Sequence, residues 1–402
     1  MTATELSSET ARESVASALE VDHVESHLNP QASYDLADHP VPTGREEVWR
    51  FTPLKRLRGL LDGTPSTAGL TWETTLPEGV TLSSIGADEA AALGELAPNE
   101  RPAALAASLA GSATLLDVPA EAVVAEPVVI RLTGSSVDDL VWGRTLFRIG
   151  AHAKVTIVLV HTGSARYSAI QSFLVGDGAQ VNVLSLQDWD DDAVHLGRDA
   201  IRVGRDAQVK HTVVSFGGDV VRMHANVEYA GPGGEAELLG LYFADEGQHL
   251  EHRLFADHNA PKTKSNVVYK GALQGKDAHT VWVGNVLIRK VAEGIETYEE
   301  NRNLILTDGT LCDSVPNLEI ETGEIEGAGH ASATARFDDE QLFYLRSRGI
   351  SEKEAQRLVV HGFFNDLIRK VDIPSVEEKL LETVEAELAK NVLKVSADEV
   401  PA

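Results

Sequence analysis

The chain has 402 residues, 43 % of them hydrophobic, enough for one large core or two moderate ones. Lys and Arg total 35 against 62 Asp and Glu, a formal net charge of −27 that repels phosphate backbones and anionic lipid, so nucleic acid and membrane surfaces are poor partners. The single cysteine, Cys312, excludes an intrachain disulfide and a Cys-rich metal cage built from this chain alone, and it fits a reducing compartment.

The opening text MTATELSSETARESVA lacks the basic start and apolar stretch of a secretory signal. No apolar run approaches the roughly 18 residues of a spanning helix, and the longest, Val155 to Val160, is strand-sized. A soluble cytoplasmic protein is expected. Residues 1–30 carry Val15, Leu19 and Val21 in a weakly amphipathic helical pattern that Pro30 ends. His23 and His27 stand four apart on it with no zincin motif between them, as surface residues do.

From Pro42 to Gly63, Trp49, Phe51 and Leu54 alternate with Arg45, Arg50, Lys55, Arg56 and Arg58. This pattern reads as a solvated basic face over buried aromatics, with docking to an acidic partner as the alternative. Residues 64–110 form a connector in which Ala87 to Leu109 reads as short helices broken by Pro98 and Pro102.

After Val118 the text turns to short β-branched runs divided by Gly and Asp. Three turns share the pattern apolar-Gly-x-x-Ala-(Lys/Gln)-Val, with first glycines Gly150, Gly176 and Gly204 lying 26 and then 28 residues apart. A looser copy starts at Gly231, 27 residues later. Glycine at a fixed place is expected to supply positive φ for a sharp turn, and the Val-x-Val that follows suits a strand with one buried face. Self-similarity at this period marks a solenoid, so residues 118–330 read as a parallel β-helix-like stack.

Past Phe337 the period changes to that of helices. One helix is expected from an N-cap at Asp338 or Asp339 to Gly349 as its C′ residue. Ser351 and Glu354 form a capping box before a helix whose apolar stripe is Ala355, Leu358, Val359, Gly362 and Phe363. A further box, Ser375 to Glu378, opens an acidic helix reaching about Val392. This helical unit is too small to be stable apart from the solenoid.

Among 14 histidines, the densest group is His249, His252 and His258 with Asp257. On a strand, the spacing of three between His249 and His252 sends them to opposite faces, so hydrogen-bonded structural histidines are the preferred reading. There is no phosphate loop, the Gly-rich turn at 231–234 leads into a strand, and no nucleophile elbow occurs. Cys312 has no evident basic neighbour to activate it. Asp188, Asp190, Asp191 and Asp192 read as a solvated turn; the alternative is the carboxylate set of a β-helical carbohydrate-active enzyme. His330 differs from the other histidines because small residues flank it at the junction of solenoid and helical unit. They leave its imidazole open to a soft or borderline metal, although on spacing alone a satisfied structural histidine is the preferred reading.

VPNLEI (315–320), the small-residue stretch around His330, DDEQLFYLRSRGIS, DHNAPKTKSNVVYKGAL (257–273), GIETYEENRNLIL (294–306) and EEVWRFTPL (46–54) together resemble the SufB/SufD family of iron-sulfur cluster assembly proteins, SufD most. The resemblance covers most of residues 42–370. It implies a mainly β fold, a right-handed parallel β-helix core (118–335) between an N-terminal helical or mixed region (1–117) and a C-terminal helical domain (336–402). It also implies a non-catalytic subunit that pairs with a SufB-like protein and docks a SufC-like ABC ATPase, where ATPase activity would reside. The cofactor is then a transient iron-sulfur cluster or iron at the interface with SufB, none being tightly bound by this chain alone. An exposed β-helix edge also invites a homodimer in isolation. The family's SufD-side ligand lies in a Cys-x-His-Gly-Ala-Thr stretch matching Ala328 to Ala333, so His330 is kept and the neighbouring cysteine is not. Cys312 lies about two residues from the place of an essential SufB cysteine, on the same strand face, and is the weaker metal candidate. ATPase docking is expected from Phe343, Tyr344, Leu345, Arg346, Arg348, Leu358, Phe363 and Phe364. A SufB-like scaffold that holds the cluster itself is the alternative within the family.

Overall fold

The computed structural model describes residues 31–337 and 339–390. The helix expected over residues 1–30, with His23 and His27, lies outside them. Three short strands, β1 (Thr71–Thr75), β2 (Thr81–Ile85) and β3 (Ala113–Val118), lead into the long β4 (Val128–Ile149) and β5 (Lys154–Val175). The first half of β5 pairs with β6 (Gln180–Trp189) and its second half with β7 (Val194–Val203), all parallel. The chain thus splits into two walls. Above β6 one wall stacks β8 (Gln208–Ser215), β10 (Glu235–Ala244), β12 (Lys264–Leu273), β14 (Glu296–Ile305) and β16 (Gly327–Arg336). Above β7 the other stacks β9 (Val220–Tyr229), β11 (His249–His258), β13 (His279–Ile288) and β15 (Leu311–Ile320). This is the parallel β-solenoid expected from the repeats.

The repeated glycines work differently from expectation. Gly150, Gly176, Gly204 and Gly231 do not have positive φ; that conformation falls two residues later, on His152 (59°), Gly178 (66°), Asp206 (53°) and Gly233 (77°). The first glycine is needed because coils meet there. A Cβ would stand 2.3 Å from Ala120 N at Gly150, 2.6 Å from Ala151 N at Gly176 and 2.7 Å from Asp177 N at Gly204. The amides at these corners bond to the coil below, Gly176 N–H to Ile149 O and Gly204 N–H to Val175 O, each at 2.9 Å. Ala153, Ala179 and Ala207 then turn into the lumen.

Both walls are buried on both sides for most of their length, which is why their strands are nearly continuous apolar runs. Val155, Ile157, Val181, Val183, Phe147 and Phe173 fill the lumen. The outer side of the β7 wall carries Leu140, Trp142, Ile170, Val194, Leu196 and Val220, covered by Trp49, Leu57, Leu60 and the helix α2 (Arg101–Leu109). Before it, α1 (Ala87–Ala92) ends ahead of Pro98. Pro102 does not break α2. It lies in the first turn, where its missing N–H has no intrahelical partner to lose.

Arg222 pins this N-terminal layer. Its guanidinium donates to Glu100 Oε2 at 2.6 Å and Glu251 Oε1 at 3.2 Å, and it lies 4.2 Å from the centre of the Trp49 ring. Burial alone would raise both carboxyls, but the Arg222 charge holds them well below the usual range. The basic stretch is not simply solvated: Arg56 and Arg58 reach back to Asp219 at 2.6 and 2.9 Å.

On the β6 wall, three helices close the chain: α3 (Asp339–Ser347), α4 (Glu352–Val371) and α5 (Pro374–Lys390). Helix α3 ends at Gly349 (φ 86°) with Ile350 N–H bonded to Leu345 O and Gly349 N–H to Arg346 O, the Schellman pattern. Ser351 Oγ caps α4 by accepting from Glu354 N–H. The buried face of α4 is Ala355, Val360, Phe364, Leu367, Ile368 and Val371, turned away from the expected stripe, so Leu358 is 44 % exposed and Gly362 is exposed. The wall takes those side chains together with Leu380, Val384 and Leu388 of α5, and the long β8 to β12 runs supply the other half of that core. Helix α5 starts at Pro374, with Val376 N–H bonded to Ile373 O, so Ser375 is in its first turn and is not the N-cap.

Two expectations test this packing. Gly176→Ala forces a methyl onto backbone and should cost about 1–3 kcal/mol, whereas Gly362→Ala in an exposed helix position with open space should gain roughly 0.5–1 kcal/mol; urea midpoints measure both. The second concerns acid. Burial holds His161 and His258 down to about 4 and His252 to about 3, from 6.5. In that window the unfolded chain binds the extra protons, so stability is complete above pH 6.5 and falls as pH drops toward 4. His252→Phe, which keeps a ring against Tyr242, should flatten this fall in thermal midpoints measured across the window.

Candidate functional site

The solenoid ends in an unfinished coil. Among the described residues strand β15 bonds only to β13, and β16 only to β14, so each presents a backbone edge that none of them pairs. Part of this coil's inward set is polar: Cys312 and Ser314 on β15 face Thr334 and Ser332 on β16. Ser332 Oγ donates to Ser314 Oγ at 2.8 Å, and Cys312 Sγ lies 3.7 Å from Thr334 Oγ1.

His330 lies on β16 at the same inward parity as Ser332 and Thr334 and is exposed. The cross-wall pairs put Cys312 level with Thr334, four residues from His330, or roughly 13 Å along the strand. The two metal candidates therefore share the terminal coil but not one ion. Cys312 is half-buried, and burial pushes its thiol up, the reverse of an activated ligand. Among the described residues no group of three or more His, Cys, Asp or Glu is placed to hold a metal.

One residue of this coil region escaped the sequence reading. Glu299 on β14 is the in-register neighbour of His330, 1 % exposed, with neither carboxylate oxygen hydrogen-bonded. Burial pushes its carboxyl up to about 8. The only signal in the text was that 296–303, ETYEENRN, has no apolar face to put inward.

The histidines of the densest group have structural partners. His249 meets Glu251 at 3.2 Å and His279 at 3.2 Å; His252 meets Ser215 at 3.0 Å; His258 meets Thr263 at 2.7 Å and Ser265 at 2.9 Å. Asp257 pairs with Arg289 at 2.9 Å. Asp190 to Asp192 form the turn between β6 and β7, where Asp190 and Asp192 accept from Ser164. Asp188 ends its strand beside them.

The docking set divides. Phe343 and Tyr344 on α3 are 74 % and 56 % exposed, with Arg346 and Arg348 exposed beside them and Leu345 half-buried. Phe363 is half-buried, its carbonyl accepting from Lys270 Nζ at 2.8 Å. Phe364 is wholly buried in the core under α4, which removes it from any surface.

The family model for the SUF system FeS cluster assembly SufBD core domain matches residues 131–363, more than half of the chain. An iron-sulfur cluster assembly SufBD family protein of Mycobacterium bovis is 52 % identical over 365 residues, covering 89 % of this chain and 92 % of that one. One of Mycobacterium leprae is 50 % identical over 364 residues, covering 89 % and 93 %. A second SufBD family protein of M. leprae is 27 % identical over 212 residues, 53 % of this chain and 24 % of that longer one. With the match spanning the solenoid, its unfinished coil and the start of the closing helices, this chain belongs to the SufBD family of iron-sulfur cluster assembly proteins.

Proposed function

We propose that the chain is the SufD-type subunit of an assembly complex, joining a SufB-like subunit through the β15 and β16 edges and a SufC-like ABC ATPase through α3. The observation that carries this is the terminal coil: two open strand edges and an exposed His330, in a chain with a single, half-buried cysteine. A scaffold that held a cluster alone would need more ligands than the described residues bring together. The two SufBD proteins of M. leprae, matched at 50 % and 27 %, support two unlike members acting together.

In this reading the chain catalyses nothing itself. It offers His330 toward iron or a nascent cluster, the cargo, at the shared edge. ATP-driven movement of the docked ATPases strains the paired solenoids and opens that edge. The exposed Phe343 and Tyr344 are the anchor, with Arg346 and Arg348 as the polar rim. No helix among the described residues is long and apolar enough to cross a membrane, and the complex works in the cytoplasm.

Three outcomes check this. The double variant Phe343→Ala, Tyr344→Ala should retain at least ten-fold less ATPase in a co-expression pull-down while its thermal midpoint stays unchanged. Phe364→Ala, by contrast, should cost about 3–5 kcal/mol in unfolding free energy because it empties the core. His330→Ala should lower the iron and acid-labile sulfide on the co-expressed complex several-fold; wild-type content would sink the ligand role.

A further inference from the structure

The lumen near the open end holds a connected polar layer. Ser332 Oγ donates to Ser314 Oγ, Ser314 Oγ to Asn301 Oδ1 at 2.8 Å, Asn303 Nδ2 to Asn301 Oδ1 at 2.7 Å, and Tyr242 Oη to Asn303 Oδ1 at 2.7 Å. Each of these groups has a partner. Glu299, in the same strand as Asn301 and Asn303, does not, although it is the carboxyl of that layer.

Leaving a carboxyl buried without a hydrogen bond costs free energy that a structural role would not require, because Gln or Leu fills the same space. The opposite wall is shaped around it. At Gly284 a Cβ would stand 2.6 Å from Glu299 Oε1 and 2.5 Å from the Trp282 ring, so only glycine leaves the carboxylate its room. Gly284 has no positive φ, so its missing side chain serves the space that the Glu299 carboxylate and the Trp282 ring share. One coil outward and in register stands His330, about 4.8 Å away along the ladder and on the same inward parity.

We propose that Glu299 and His330 form a two-ligand site for a divalent first-row cation at the open end of the lumen, with solvent in the remaining positions. A carboxylate oxygen and a neutral imidazole nitrogen suit such ions better than they suit Mg2+ or Ca2+. The net charge of −27 raises the local concentration of cations around the chain. Two protein ligands hold weakly, which suits an ion that is cargo and must leave. The inference rests on His330 being a ligand and adds the buried partner that gives that ligand a place to hand its ion inward.

The test is calorimetric titration of the full chain with Co2+ in excess Mg2+, which occupies the many carboxylate-only surface sites. One Co2+ should bind per wild-type chain, and Glu299→Gln and His330→Ala should each weaken it at least ten-fold. Gly284→Ala should do the same by crowding the carboxylate. Thermal midpoints report folding: Glu299→Gln should unfold at the wild-type temperature or above, and only the wild type should gain from added Co2+. Wild-type affinity in Glu299→Gln with loss in His330→Ala would overturn this site and leave the proposed role of His330 standing. Wild-type affinity in His330→Ala would overturn both.

Discussion

Stacking parallel coils at the spacing of a β-ladder is the constraint on which this molecule depends. Successive strands lie about 4.8 Å apart, and wherever the chain turns from one wall to the other its backbone must keep that distance without side chains in the way. Gly150, Gly176 and Gly204 meet that demand, since a Cβ at each would fall within 2.3 to 2.7 Å of backbone nitrogen in the coil below. Once the corners stack, register follows, with Val155 on Val181 on Val209 on Ala236, and so does the sorting of every residue into lumen or outer face.

The same constraint dictates what the ends of the chain do. Walls with apolar residues on both faces need covers, and the termini supply them: α2 and Trp49 on one side, α4 and α5 on the other. The covers are attached by different means. The C-terminal helices use apolar area, with Phe364, Leu367 and Ile368 of α4 and Val384 of α5 set against β8 to β12. The N-terminal layer adds a buried charge network centred on Arg222, whose two carboxylates come from α2's N-cap, Glu100, and from β11. Such a network specifies one seating, because a shifted layer would leave charges buried and unpaired.

The solenoid was legible in the sequence because its corners repeat, and the end helices because their caps are local. The role of the repeated glycine was not, since close approach between coils is a contact at a separation of about one period and positive φ is the commoner use of glycine. The buried face of α4 was misplaced for a related reason. Leu358 and Phe363 fit the helical spacing as well as Val360 and Phe364 do, and only the position of the solenoid wall decides between them. His330 stood out by its small neighbours, whereas nothing local sets Glu299 apart from the chain's other acids. Its burial comes from ladder parity and from a glycine, Gly284, on a strand 15 residues earlier.

The proposed site sits at the C-terminal coil, where stacking stops among the described residues. In the middle of the solenoid each inward side chain is covered above and below, so Val, Ile and Phe fill much of the lumen and its polar members, such as His161, Gln187 and His195, bond to one another. At β15 and β16 no further coil among the described residues covers the lumen, so an apolar inward set would meet water or a partner without selectivity. Cys312, Ser314, His330, Ser332 and Thr334 are polar or weakly polar there, and Glu299, Asn301 and Asn303 continue that character one coil inward. The open backbone edges and the open polar lumen thus have one cause. Pairing of that edge with another solenoid would complete the ladder and close the lumen in a single event, placing whatever His330 and Glu299 hold between two chains.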